Sequence, residues 1–352
     1  MNIWNQKYLI IILSIFLLFS CSKKKRIEIS KRDKVKINKV KINKVKNNPK
    51  IKLKQKSVKK IFGLKKESLT KLGKAVKNNQ LELVKRLLNK KNIEELNGSA
   101  KTALIIASEY NRVEIIKYLL ENGANIHKKS DYNLTPILIA SKYDNFEAVK
   151  ILLENSANIE DRDMLLWSSL TYSVWNNNEK LLNFLLKKGA NFKIKDKRDK
   201  TLLMIATEKL NLKNIKLFLK LGVSIDAIDE YGNKTISWAI HKTRDEEKSI
   251  EIIDFLLKNG ADINQQDVNK RTPLLKSLFE RKIKIANFLI EKKANLNLQD
   301  KNGRTAIFYA TKRASDKLIK KLLKNGADPT IKDKDGKLFS YYLSPKNKSK
   351  SK

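Results

Sequence analysis

One 33-residue pattern recurs along this chain of 352 residues, and no other feature restricts its fold so tightly. The pattern opens at Thr102, Thr135, Ser168, Thr201, Lys234, Thr272 and Thr305, in steps of 33 apart from one step of 38, and a degenerate eighth copy opens at Leu338. Seventeen and eighteen residues into each copy come paired apolar side chains, as in Leu119-Leu120, Leu152-Leu153 and Leu322-Leu323. In the long copy the pair Leu256-Leu257 falls five residues late. Several copies then close on Gly-Ala-Asn or Gly-Ala-Asp, as at Gly123, Gly189, Gly260 and Gly326. A fixed period in this range means stacked supersecondary units, each too small to bury its apolar face without neighbours.

The residue types have local reasons. Thr135-Pro136 and Thr272-Pro273 read as a helix N-cap followed by proline at the first helical position, where a missing N–H costs nothing. A small residue follows five places after the start (Ala107, Ala140, Ala206, Ala239, Ala310), which lets a short first helix lie close to its neighbour. Asn111, Asp144 and Asn177 suit the left-handed backbone of a tight turn. The second helix carries the apolar pair and ends at glycine, the favoured residue just past a helix C-terminus. Ser156 and Lys293 stand where glycine is expected. The unit is thus helix, turn, helix and extended tip.

This pattern resembles the ankyrin repeat. The best copy runs from Asp300 through Lys301-Asn302-Gly303-Arg304-Thr305-Ala306 to Ala310, and Thr135 to Ala140 is nearly as good. The resemblance covers roughly residues 67–345, with 67–97 as a partial first copy. It implies an all-α solenoid of about seven repeats with partial end caps. The family's histidine three places after the threonine is absent from every copy, Ser168 and Lys234 replace the threonine, and the fifth repeat carries an insertion around Arg244–Lys248. That insertion reads as a solvated loop lengthening the connection between the two helices.

The amino terminus is of another kind. Tyr8 to Phe19 is a mainly apolar run of twelve residues, followed by Ser20-Cys21. A bilayer span needs about 20 such residues, so the run matches a secretory signal over residues 1–20 instead. Leu18-Phe19-Ser20-Cys21 looks like a bacterial lipobox, with Cys21 lipidated and residues 21–66 as a basic tether. Cys21 is the only cysteine, so no internal disulfide staples the fold. The expected location is the bacterial cell envelope.

Net charge is +39, and a strongly basic chain raises the question of nucleic acid. Residues 22–66 hold 20 Lys/Arg against Glu28 and Asp33, and the tail 346–352 adds four lysines, so the excess is concentrated at the ends. Such a tether is suited to anionic headgroups, each Lys contributing about 1 kcal/mol near the surface. Nucleic acid is therefore not the expected partner. No phosphate loop, metal-ligand spacing or nucleophile–base pair is found, so neither catalysis nor a cofactor is expected.

What remains is surface. The resemblance implies that a concave groove is lined by tip residues four, three and one before each start and by the seventh and eighth after it. In the first three repeats these include Tyr110, Tyr132, Leu134, Tyr143, Met164, Leu165, Trp167 and Trp175. Further on they turn basic, with Lys197, Arg198, Lys200, Arg271, Arg304 and Arg313, a surface suited to an unknown, acidic protein partner. The tip Met164-Leu165-Leu166-Trp167 is anomalous, since neighbouring tips are polar and carry glycine. It reads either as an exposed interface or as a plug folded inward, whereas Trp238 reads as core. The expected function is non-catalytic protein binding by a membrane-anchored module. The alternatives are an accessory or spacer subunit of an envelope complex, and lipid or nucleic-acid binding by the tether.

Overall fold

A computed structural model describes residues 69–241, 243–311 and 316–343. The expected leader, Cys21, the tether, Arg313 and the basic tail lie outside the described residues. Among those described, sixteen α-helices form eight consecutive pairs, and no strand is longer than an isolated bridge. The pairs are α1 (Lys71–Lys77) with α2 (Leu81–Leu87), α3 (Ala103–Glu109) with α4 (Val113–Glu121), and α5 (Pro136–Lys142) with α6 (Phe146–Glu154). They continue with α7 (Ser169–Trp175) and α8 (Glu179–Lys187), α9 (Leu202–Glu208) and α10 (Leu212–Lys220), and α11 (Thr235–Ile240) and α12 (Glu246–Lys258). The last are α13 (Pro273–Phe279) with α14 (Ile283–Glu291), and α15 (Ala306–Thr311) with α16 (Asp316–Lys324). A 3-10 turn at Phe339–Leu343 packs on α15 and closes the stack.

Each first helix packs on its own second helix and on the first helices before and after it, so contacts run between neighbours only. The first helices are therefore buried nearly all round, while the second helices bury one stripe and leave the other face to solvent. Ala107, Ala140, Ala206, Ala239 and Ala310 are fully buried, as their size requires. The hydroxyls of Thr102, Thr201 and Thr272 accept the N–H three residues on, at 3.2–3.3 Å. Ser168 completes a capping box with Thr171. Thr135 departs from expectation, because its buried hydroxyl makes no cap bond. Lys234 has no hydroxyl to offer, and its own N–H donates to Gln265 Oε1 at 3.0 Å.

The turn residues Asn111, Asp144 and Asn177 adopt φ of 53–62°. Ser156 and Lys293 take the left-handed place of glycine at 68° and 63°. A second left-handed column lies two residues before each start, filled by Gly232, Gly303 and Gly336 but elsewhere by Ala100, Asn133, Leu166, Asp199 and Lys270. The tip turn dictates this conformation whatever residue occupies it. At Gly303 a Cβ would also lie 2.7 Å from the backbone nitrogen of Lys334 on the next tip.

The insertion lengthens the connection between the helices as expected, but most of its charged residues are helical and not loop. Residues 241–245 form a connection five residues long, and the other added residues extend α12 to 13 residues. Asp245 caps that helix through Lys248 N–H at 3.0 Å, and Glu246 accepts from Lys284 and Ile285 N–H at 2.9 and 3.2 Å. The acids thus cap two successive second helices, where the helix dipole favours negative charge.

Candidate interaction surface

Successive tips are tied together by a ladder of backbone hydrogen bonds. Met164 N–H donates to Tyr132 O, Lys197 to Leu165, Glu230 to Arg198, Val268 to Tyr231, Lys301 to Asn269 and Lys334 to Asn302, all at 2.9–3.1 Å. Inside each tip a buried aspartate organises the turn. Oδ1 of Asp163, Asp196, Asp229, Asp267, Asp300 and Asp333 accepts the N–H groups two and four residues later. The second oxygen takes a side chain: Tyr172 Oη on Asp163 at 2.6 Å, and Tyr309 Oη on Asp300 at 2.7 Å. Burial, then the adjacent carboxylate, pushes both phenols well above the usual tyrosine range. This aspartate column was readable five places before six of the eight starts, with Asn97 and Ser130 at the first two, yet sequence reasoning passed over it.

The tip before Ser168 divides between both expected alternatives. Met164, Leu165 and Leu166 are 50%, 42% and 43% exposed, so they are not the plug. Trp167 turns inward and is only 6% exposed. It forms a small core under the tips with Leu134, Leu138 and Tyr172, and half-buried Trp175 packs beside it. Its ring lies 5.3 Å from Tyr172 and 5.1 Å from Trp175, and its indole N–H reaches Asp196 Oδ2 at 3.4 Å. Leu134 and Trp167 are therefore corrected from groove anchors to structural residues. Their large side chains gain more by covering the first helix than by projecting into water.

Lys200 is corrected likewise. It is buried, paired with Glu208, and its ammonium lies 4.0 Å from the centre of the Trp238 ring. Lys101 pairs with Glu109 at 2.7 Å in the same way, and Arg271 covers the Phe279 ring at 5.1 Å. At four starts the residue before thus meets the seventh residue after, as Trp167 also meets Trp175, so these two columns expected to face a partner partly satisfy each other. Half-buried Arg271 also donates to Asp267 Oδ2 through Nε and Nη2. Half-buried Arg304 stacks 5.7 Å from the Tyr342 ring centre. Trp238 is core, as expected.

Tyr132, Tyr143, Met164, Leu165, Lys197 and Arg198 are exposed, and Tyr110 is half-buried beneath the Lys77 ammonium. Arg198 meets Glu230 at 3.6 Å. Three further lysines stand out on the first-helix side. Lys142 and Lys209 are half-buried and Lys276 is 7% exposed, and none of the three makes an ion pair among the described residues. Each sits against an aromatic ring instead: Tyr143 at 6.0 Å, Trp175 at 4.4 Å and Trp238 at 6.0 Å, with Lys276 also bonded to Asn233 Oδ1 at 3.0 Å. Burial is the main cause that lowers all three ammonium pKa values below the ordinary range. Lys276 escaped sequence reasoning because it occupies a column that is apolar or aromatic in other copies.

A family model described as ankyrin repeats (3 copies) matches residues 72–163, 170–267 and 245–333. Those matches span most of the sixteen helices, with the capped first helices, left-handed tips and neighbour-only packing described above. Repeats of this kind build protein–protein interaction modules and are typically non-catalytic. The chain belongs to the ankyrin repeat family.

Proposed function

We propose that the repeat domain binds an acidic segment of a protein partner along its concave face, with no reaction of its own. The observation carrying this reading is the trio Lys142, Lys209 and Lys276. Three ammonium groups are held partly out of water near aromatic rings with no direct ion pair among the described residues, whereas Lys101 and Lys200 on the same face have one, and the carboxylates nearest them act only at longer range. A partly desolvated cation costs stability unless it is compensated, and a carboxylate from outside would compensate it. Tyr110, Tyr143 and Phe279 supply the aromatic contact area that interfaces favour. A rigid stack presents these groups preformed, so little entropy is lost on docking.

The finer reading places the domain at a bacterial envelope membrane, tethered by a lipid on Cys21 and by the basic segment 22–66. Replacing Cys21 with Ala would then abolish lipidation and signal cleavage, and a normally processed variant would dismiss the anchor. For the groove, the full-length protein in mild detergent is crosslinked and its companions identified, beside the Lys142→Glu/Lys209→Glu variant. A dominant partner lost from that variant, yet kept by a Lys150→Glu control on α6, supports the reading. Equal retention by both variants would move the site elsewhere.

A further inference from the structure

We infer that the row of hairpin tips, including Tyr132, Met164 and Leu165 that the resemblance assigned to the groove, is instead a docking surface for an anionic lipid bilayer. Tyr132, Met164, Leu165, Leu166, Tyr231 and Val268 are 42–62% exposed, and all six stand on turn apices. The backbone ladder holds those apices in register along one edge. Between and beyond the apolar groups lie exposed Lys197, Arg198, Lys270, Lys301 and Lys334. The exposed acids of the same turns are Asp131, Asp199, Glu230 and Asp335, and the Arg198–Glu230 pair removes one charge of each sign, leaving four lysines against three aspartates.

Leu166 sharpens the point. Its φ of 59° belongs to the left-handed column that Asn133 and Asp199 fill on the adjacent tips and Ala100 and Lys270 elsewhere, and it is the one large apolar side chain in that column, turned to solvent. Strained backbone and an exposed apolar side chain are both unfavourable, and such costs gather where a surface is used.

The pattern fits a bilayer better than a folded partner. The apolar groups are spread over four tips, three of them adjoining on the tip of Met164–Leu166 and the others one to a tip, with cations in between. A yielding surface accepts separated projections, whereas a folded protein would need a matching pocket for each. Apolar side chains entering the acyl boundary, tyrosines at the interface and lysines at anionic headgroups are the elements of interfacial binding. No described helix is long and apolar enough to cross a membrane, so the contact is with the surface. It requires neither lipid on Cys21 nor a groove partner.

The test uses the full chain with Cys21→Ser, which frees a single engineered cysteine for an environment-sensitive fluorophore. The label is placed at Leu165→Cys or, as control, at exposed Lys150→Cys on α6. Vesicles are equal parts phosphatidylglycerol and phosphatidylcholine, or phosphatidylcholine alone. The expected result is a blue shift at residue 165 with anionic vesicles only, and none at residue 150. In sedimentation, Met164→Asp/Val268→Asp should weaken vesicle binding about tenfold. Binding without a shift at residue 165 would assign attachment to the tether and overturn the inference. A shift at both labels, no binding, or a shift that follows protein concentration without vesicles would overturn it equally. Groove-partner capture by Lys142→Glu/Lys209→Glu is read separately, so the two ideas fail independently.

Discussion

Four consecutive residues on one turn should answer substitution in opposite ways. Trp167→Ala removes a side chain that is 6% exposed. An aromatic of this size buries about 150–250 Å², or roughly 4–6 kcal/mol at 25 cal/mol/Å² before relaxation. Edge-on packing with Tyr172 adds about 0.5–1.5 kcal/mol, while the 3.4 Å bond to Asp196 adds little. Asp196 keeps its backbone donors Arg198 and Lys200 and is not orphaned. Partial collapse of Trp175 into the space brings the expected loss to about 3–5 kcal/mol. Met164→Ser and Leu165→Ser should each stay within about 0.5 kcal/mol, because their side chains already face solvent. Urea unfolding followed by circular dichroism at 222 nm reads all three. A solenoid can lose one repeat interface before the rest, so Trp167→Ala should also broaden the transition or add an early step. A Trp167→Ala loss below about 1 kcal/mol would refute the buried cluster, and so would a Met164 or Leu165 loss of comparable size.

Three other outcomes follow from local geometry. Leu166→Gly should raise stability by about 0.5–1 kcal/mol, since relief of left-handed strain outweighs the added freedom of the unfolded chain; a lower urea midpoint would contradict this. Gly303→Ala should cost at least about 2 kcal/mol, because its Cβ meets the next tip's backbone, whereas Gly123→Ala, with open space around it, should cost only about 1 kcal/mol; equal losses would deny the tip contact. Burial lowers the Lys276 pKa in the folded state, so between that value and the ordinary lysine value the unfolded chain binds more protons and stability contributed by this group rises with pH. The melting-temperature difference between Lys276→Met and the parent should therefore move in the parent's favour as pH climbs from 7 to about 10, and a pH-independent difference would rule the burial penalty out.

The fold was legible because its signals recur in phase. Capping threonines, small packing alanines and left-handed turn residues each occupied their expected column across many copies. The surface was only half legible, since a column fixes where a Cβ sits and not where a long side chain goes. Trp167 and Leu134 hold groove positions yet fold onto the helix, because apolar area seeks cover. Lys200 and Glu208 are eight residues apart, and their pairing depends on how the tip lies against the helix. Lys276 broke its own column's apolar pattern, a signal that pointed to an exception without revealing its surroundings. The insertion's acids looked like loop because capping the next repeat's helix is a contact between copies.

The five-residue insertion enters between the helices of one repeat, on the far side of the unit from its tip. Val268 still reaches Tyr231 at 2.9 Å across it, as if nothing had been added. Length and pitch are therefore separate quantities in this molecule. The chain can gain or lose residues at the back of a repeat while the front keeps equal intervals, like a ruler whose thickness varies but whose graduations do not. Any ligand that touches several tips reads those graduations, and its own spacing of contacts must be commensurate with them.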